Sequence, residues 1–236
     1  MSKNCLTDGL SKNLLNRAFG PFVCCLTEDE TVIFEKNCSS ADFAAGATII
    51  ERHNNDSSVF FVLSGTVSVL NYTTSGRAIT HTTLCSGDIF GEMAAIDCGP
   101  RAAWGVEVDD CKLIKIPGSI FINLAERNHK FSLELLRKLS TNLREANERA
   151  LDFFSLGAEQ RACLELVRMA KPDPLRPELY LVNQMPTQAN FATLIGSSRE
   201  TVSRIMSRLK NDSVINISAR GLEILDKKQL EKRAFG

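Results

Sequence analysis

The chain has 236 residues, 44% hydrophobic and 24% charged, with a formal net charge of zero, an ordinary composition for a soluble globular protein of one large domain or two moderate ones. No apolar run approaches the ~20 residues of a membrane span, and Met1 to Leu10 lacks a basic region leading into an apolar core, so no membrane association, no secretory signal and a cytoplasmic location are expected. The eight cysteines form no Cys-x-x-Cys pair and have no histidine cluster beside them, which predicts idle reduced thiols and no metal site.

In chain order, residues 8–25 are moderately apolar and predict one or two short helices. From Thr31 to Pro117 the texture predicts strands. Runs such as Val59-Phe60-Phe61-Val62-Leu63 and Thr66-Val67-Ser68-Val69-Leu70 are rich in β-branched and aromatic residues. Turn signals recur at Ser64-Gly65, Ser75-Gly76, Ser86-Gly87-Asp88 and Gly99-Pro100. Many short strands with regular turns predict a barrel or sandwich.

Inside that region the stretch Phe90-Gly91-Glu92-Met93-Ala94-Ala95-Ile96-Asp97-Cys98-Gly99-Pro100-Arg101-Ala102-Ala103 carries the most chemistry. It predicts a tight turn beside a short apolar segment, with one acid and one arginine at fixed separation. Backbone N–H groups in such a turn can face a concavity and attract an anion. Arg101 can fork onto a phosphate, and Glu92 can accept from a sugar hydroxyl. One phosphate plus one ribose suggests a nucleotide with a single phosphate. The stretch resembles the phosphate-binding cassette of cyclic-nucleotide-binding domains, with that family's usual Gly-to-Arg spacing.

From about His129 to Leu156 the pattern is helical. Leu136, Leu139, Leu143, Ala146, Ala150 and Phe153 recur in steps of three and four, the signature of a coiled-coil seam. A helix of that length spans about 40 Å. Polar neighbours Asn142, Arg144, Glu145, Glu148 and Arg149 keep the stripe narrow, which favours pairing with the same helix of a second copy. Ser155-Leu156-Gly157 reads as a hinge, Glu159 to Ala170 as another helix, and Lys171-Pro172-Asp173-Pro174 with Arg176-Pro177 as a loop.

The net charge hides an asymmetry. Residues 185–236 hold nine Lys/Arg against five Asp/Glu, whereas residues 1–184 hold nineteen against twenty-three, a distribution that hints at nucleic acid. Residues 187–210 predict two helices around a sharp turn. Thr187 can cap the first, Ala192 is small where the helices would cross, Gly196 supplies the turn and Ser198 can cap the second. Val202, Ile205 and Leu209 form the buried face, leaving Arg199, Glu200, Ser203 and Arg204 outward. This is a helix-turn-helix pattern. Arg199 is suited to guanine O6 and N7, and Glu200 to cytosine N4. Thr187, Ser198 and Thr201 are suited to phosphates. Val214 to Leu225 predicts a hairpin, or wing.

Together, Gly91–Ala103 and Gly196–Ile205 resemble the bacterial cAMP receptor protein (CRP/FNR) family, a likeness covering roughly residues 20–230. The resemblance implies an α+β protein: a cyclic-nucleotide-binding β-roll over residues 1–128, a dimerisation helix over 129–156 and a winged helix-turn-helix over 157–236. It implies a homodimeric transcription regulator rather than an enzyme. Its partners would be cAMP or cGMP, a palindromic double-stranded DNA operator with TGTGA-like half-sites, and RNA polymerase. Carried over position by position, Gly91, Glu92, Met93, Arg101 and Ala102 fall in the ribose- and phosphate-binding stretch. Ala102 replaces the family's serine, so a hydroxyl contact is lost while the backbone N–H remains. Ala146 and Asn147 fall where Thr-Ser contacts the base. Asn147 both donates and accepts, so it fits adenine's amino group or guanine's carbonyl. Val69, His81, Thr82 and Ala103 match strand positions around the base.

Three rivals have weaker support. An iron–sulfur sensor of the same superfamily needs a clustered cysteine set, and Cys5, Cys24, Cys25 and Cys38 are badly spaced for one. A haem gas sensor could use His81 or Cys98 as ligand. An enzyme regulated by cyclic nucleotide would need a nucleophile–base or metal-ligand motif, which the sequence does not display.

Overall fold

The computed structural model describes residues 21–236, apart from 75, 77, 174, 175, 177, 178, 183, 184, 219 and 220. The chain forms two compact units, Met1–Arg144 and Glu145–Gly236.

In the first unit, α1 (Pro21–Cys24) and α2 (Glu28–Asn37) precede eight strands: β1 (Ser39–Phe43), β2 (Thr48–Ile50), β3 (Val59–Ser64), β4 (Val67–Tyr72), β5 (Ala78–Leu84), β6 (Ile89–Phe90), β7 (Trp104–Glu107) and β8 (Cys111–Ile116). The short helix α3 (Glu92–Ile96) lies between β6 and β7, and α4 (Gly118–Arg127) follows β8. The strands make two antiparallel four-stranded sheets, ordered β1-β8-β3-β6 and β2-β7-β4-β5.

β3 explains why this unit reads as β. Phe60 and Val62 point into a core shared with Ile50, Val67, Leu84, Phe90 and Leu113 of both sheets. Val59 and Phe61 point the other way, onto Phe34, Phe121, Leu124 and Phe131 of helices. A strand covered on both faces needs a continuous apolar run rather than an alternating one. Phe61 meets Phe22 and Phe34 edge-on at 6.2 and 5.8 Å between centroids, and Phe131 meets Phe22 and Phe121 at 5.5 and 5.4 Å.

The expected β region from Thr31 is corrected at its start. Thr31 to Asn37 belongs to α2, because Thr27 and Glu30 form a capping box and the first turn carries Glu28, Asp29 and Glu30. Local caps override the β-branched Thr31-Val32-Ile33. Of the helices expected over residues 8–25, α1 is described and residues 8–20 lie outside the described residues, as do Ser75 and Cys5.

Helix α5 (His129–Ser155) runs 27 residues. Phe131 and Leu135 are buried in the first unit, with Leu139 packed beside them. Lys138 pairs with Asp88 at 2.6 Å. Most of the expected seam is exposed: Leu136, Leu143, Ala146 and Ala150 all face solvent.

The second unit adds α6 (Ala158–Met169), β9 (Lys171–Pro172), β10 (Tyr180–Val182), α7 (Gln188–Leu194), α8 (Arg199–Asn211), β11 (Ile215–Ser218), β12 (Gly221–Ile224) and α9 (Lys227–Phe235). Ala162, Leu166, Phe191, Val202, Leu209, Leu222 and Leu230 form its core. Its sheet is ordered β11-β12-β10-β9, and β11 and β12 pair as the expected wing, with residues 219 and 220 outside the described set. Part of the expected proline loop is strand instead, since Lys171 and Pro172 pair with Leu181 and Tyr180; Pro174 and Pro177 are not among the described residues.

At Ser155-Leu156-Gly157, expected as a hinge, the chain turns from α5 into α6 with Ser155 and Gly157 exposed. Arg161 donates to Leu156 O at 2.5 Å and to Ile195 O at 2.9 Å, and lies 5.1 Å over the Phe153 ring. Arg168 reaches Asp152 at 2.8 Å and Glu165 at 3.6 Å, and Arg149 stands 3.9 Å from Glu165. These contacts fasten the last turns of α5 to α6. Phe153 thus packs within its own unit, with 42% of its surface still exposed.

Candidate functional site

The cassette begins where β6 leaves its pairing with β3 (Phe60 opposite Phe90). Gly91 then adopts φ +82 at the N-cap of α3. Two constraints require glycine there. The left-handed backbone disfavours a side chain, and a Cβ would stand 2.6 Å from Arg101 Nη1 and 2.9 Å from Ser58 O. The loop beyond α3 is braced by Asp97, whose Oδ1 accepts from Gly99 N at 2.9 Å.

Arg101 is only 3% exposed. Its backbone N–H donates to Asn54 O and its carbonyl accepts from His53 N, at 2.9 and 3.0 Å. Its guanidinium donates to Gly91 O at 2.7 Å, Ser58 O at 2.6 Å and Asp56 Oδ2 at 2.9 Å. The segment from His53 to Ser58 thus wraps both main chain and side chain of the arginine. Partial burial opposes ionisation of Asp56, but hydrogen bonds from Ser58 and Arg101 outweigh it and hold the carboxyl below its usual range.

Glu92 is 8% exposed. Burial pushes its carboxyl above the usual range, partly offset by its own backbone N–H and by the charges of Lys138 and Arg101. The structure therefore brings together Gly91, Glu92, Arg101 and, unforeseen from the sequence, Asp56, Ser58 and Lys138. Met93 and Ala102 are exposed.

Among the strand positions, Val69 lies opposite Thr82 on one side and Gly105 on the other. A Cβ on Gly105 would touch Ile50 and Phe90, and one on Gly91 would touch Ile50, so this part of the strand sheet reaches the cassette through Ile50. Ala103 enters β7, half-buried. His81 occupies the register shift between β4 and β5, 2.9 Å from Asn71 Nδ2. Burial and the nearby Arg52 lower its pKa. Ala146 and Asn147 are exposed on α5, in the second unit.

The second constellation lies on α7 and α8. Thr187 Oγ1 accepts from Asn190 N and Ser198 Oγ from Thr201 N, each at 3.2 Å. Gly196 turns the chain at φ +60, and a Cβ there would stand 2.4 Å from the Phe153 ring. Val202, Ile205 and Leu209 are buried, which leaves Arg199, Glu200 and Arg204 exposed and Thr201 and Ser203 half-buried. Hydrogen bonds from its own N–H and from Ser198, with the charges of Arg199 and Arg204, hold the Glu200 carboxyl below its usual range. Ser203, Arg204, Ser207, Arg208, Asn211 and Asp212 line an open concavity along α8. Such a face offers carboxylate, hydroxyl and amide acceptors and several cationic donors to a groove.

Comparison with known proteins agrees with both constellations. A family model described as a cyclic nucleotide-binding domain matches residues 41–128, and one described as a Crp-like helix-turn-helix domain matches residues 160–233. The Cyclic AMP receptor protein of Thermus thermophilus is 30% identical over 195 residues, covering 82% of this chain and 87% of that protein. The CRP-like cAMP-activated global transcriptional regulator of Mycobacterium tuberculosis is 24% identical over 200 residues, covering 84% and 89%. In fold, a CooA mutant from Carboxydothermus hydrogenoformans superposes with a TM-score of 0.73 at 18% identity, over 97% of each chain. With a sensor-type β domain, a long helix and a helix-turn-helix in this order, the chain belongs to the CRP/FNR family of transcription regulators.

Proposed function

We propose that the protein is a homodimeric regulator whose operator affinity is set by a 3′,5′-cyclic nucleotide, cAMP in preference to cGMP. The observation that carries the ligand reading is the placement of the Arg101 guanidinium against Gly91, with the Glu92 carboxyl one residue on. Arg101 and backbone N–H groups would hold the cyclic phosphate, Glu92 would accept from the ribose hydroxyl, and Val69, Thr82 and Ala103 would border the base. Asn147 would read the base edge, with Ala146 beside it. The names of the curated relatives, which specify cAMP, support the preference.

Dimerisation would use the exposed α5 stripe, where Leu136 and Leu143 are 59% and 62% exposed, a pattern that solvent alone does not favour. The two α8 helices would then enter successive major grooves about 34 Å apart. Arg199 would contact a guanine, Glu200 a cytosine and Arg204 a second guanine or a phosphate, in half-sites resembling TGTGA. RNA polymerase would be the downstream partner.

Calorimetry with cAMP and cGMP, followed by operator binding with each, tests this reading. Saturable binding of cAMP that Arg101→Ala weakens by about 2–3 kcal/mol or more is expected. Arg101→Ala binding both nucleotides as tightly as the parent, or a parent that binds neither, overturns the ligand assignment.

A further inference from the structure

The candidate phosphate site already contains an anion of the chain's own. A guanidinium has five N–H donors. Both hydrogens of Arg101 Nη2 are committed, one to Ser58 O at 2.6 Å and one to Asp56 Oδ2 at 2.9 Å, while Nη1 gives one to Gly91 O at 2.7 Å. Ser58 O and Gly91 O are main-chain atoms next to the strands β3 and β6. Asp56 is a side chain, and it is the charged member of the three.

Asp56 also differs in exposure. Its side chain is 44% exposed where that of Arg101 is 3% exposed, so solvent reaches the carboxylate while the arginine is almost wholly covered. The carboxylate is held ready for its place. Oδ1 accepts from Ser58 N at 3.2 Å and Ser58 Oγ at 2.9 Å, and the Asp56 N–H donates to Asn54 Oδ1 at 3.0 Å. Displacing it from Arg101 would not set it adrift, because the Ser58 bonds to Oδ1 do not depend on Arg101. Ala102 supplies no hydroxyl beside the arginine, which concentrates the grip on a phosphate in Arg101 and nearby backbone.

We propose that Asp56 is a built-in competitor for Arg101, displaced from Nη2 by the phosphate of the cyclic nucleotide, and thereby a residue that sets ligand affinity. This rests on the cyclic-nucleotide reading above. Two negative charges within a few ångströms repel, so a phosphate drawn to the guanidinium opposes the carboxylate already paired with it. The Asp56 carboxylate therefore compensates the charge of Arg101, and the ligand binds against that pairing. Because the contest is over the phosphate, it acts on cAMP and cGMP alike and leaves the choice of base untouched.

The test is calorimetry on the full chain with cAMP, cGMP and adenosine as probes. Asp56→Asn keeps the hydrogen-bonding shape without the charge. It should bind both cyclic nucleotides about three- to fivefold tighter, the scale of a half-exposed ion pair, with their ratio unchanged. Adenosine, which has no phosphate, should gain nothing, and Asp56→Glu, which keeps the charge, should stay near the parent. A measurement on the parent needs no variant: the carbon-13 titration of Asp56, held low by Ser58 and Arg101, should move up on saturation with cAMP. Unchanged or weaker binding by Asp56→Asn, an equal gain by Asp56→Glu, or an unmoved Asp56 titration overturns the proposal. If the parent binds neither cyclic nucleotide, the ligand reading falls and takes the competitor with it. If the parent binds and Asp56→Asn gains nothing, only the role of Asp56 falls.

Discussion

The Glu92 carboxyl is kept almost out of water, and that has a thermodynamic signature. Its folded pKa is raised, chiefly by burial, so its contribution to stability is full below the unfolded value of about 4.5 and is lost as pH rises through the folded value. Glu92→Gln removes that liability. In the ligand-free protein it should melt roughly 2–4 °C above the parent near neutral pH, the shift of about 1 kcal/mol in a chain of this size. The gap should close towards pH 4. Differential scanning calorimetry across that range checks it, and a gap independent of pH would show that the charge is not the cause. Glu92 and Arg101 were legible in the sequence because their order and spacing match a recurrent cassette. Asp56 and Ser58 were not. They come from a polar loop more than forty residues upstream, and the pairings of β3 with β6 and of β2 with β7 carry that loop to Arg101.

Helices α7 and α8 were read well because their signals are local: caps at Thr187 and Ser198, the Gly196 turn and a three-residue apolar face. On α8, Arg199→Ala should cost about 1–3 kcal/mol per half-site and relax one base position. Binding-site selection on the variant checks this, and an unchanged base preference would remove Arg199 from sequence reading. Helix α5 was legible in extent but not in use. Periodicity placed Phe153 in the seam, yet the Arg161 guanidinium and the Gly196 turn claim its ring, and no local spacing announces such partners. Replacing Leu136 and Leu143 together by Asp puts charge into the remaining stripe. Sedimentation should then give a monomer that keeps the parent's circular dichroism and binds operator at least tenfold more weakly; a stable dimer would place the interface elsewhere.

For the whole molecule, the proposed regulation would require that the ligand prefer one of two dimer states. Saturating cyclic nucleotide should raise operator affinity by about 5–150-fold, the range of typical coupling energies. Fluorescence anisotropy with labelled operator measures it, and equal affinity with and without ligand would leave the β domain without influence on DNA. The order of sensor, long helix and reader could be taken from the sequence, since composition and periodicity change between segments. The division between the compact units falls at Arg144, inside an unbroken helix, and ion pairs fasten the last turns of that helix to α6.

That shared helix has a mechanical consequence for any two copies joined along it. The exposed leucines Leu136 and Leu143 lie on the portion of α5 that belongs to the sensor, and the alanines Ala146 and Ala150 on the portion that belongs to the reader. Leucine buries far more apolar area than alanine, so in a pair joined along this stripe Leu136 and Leu143 would grip like a rivet, Ala146 and Ala150 would leave a thinner joint, and the exposed Leu151 and Phe154 would add apolar surface again towards the end of α5.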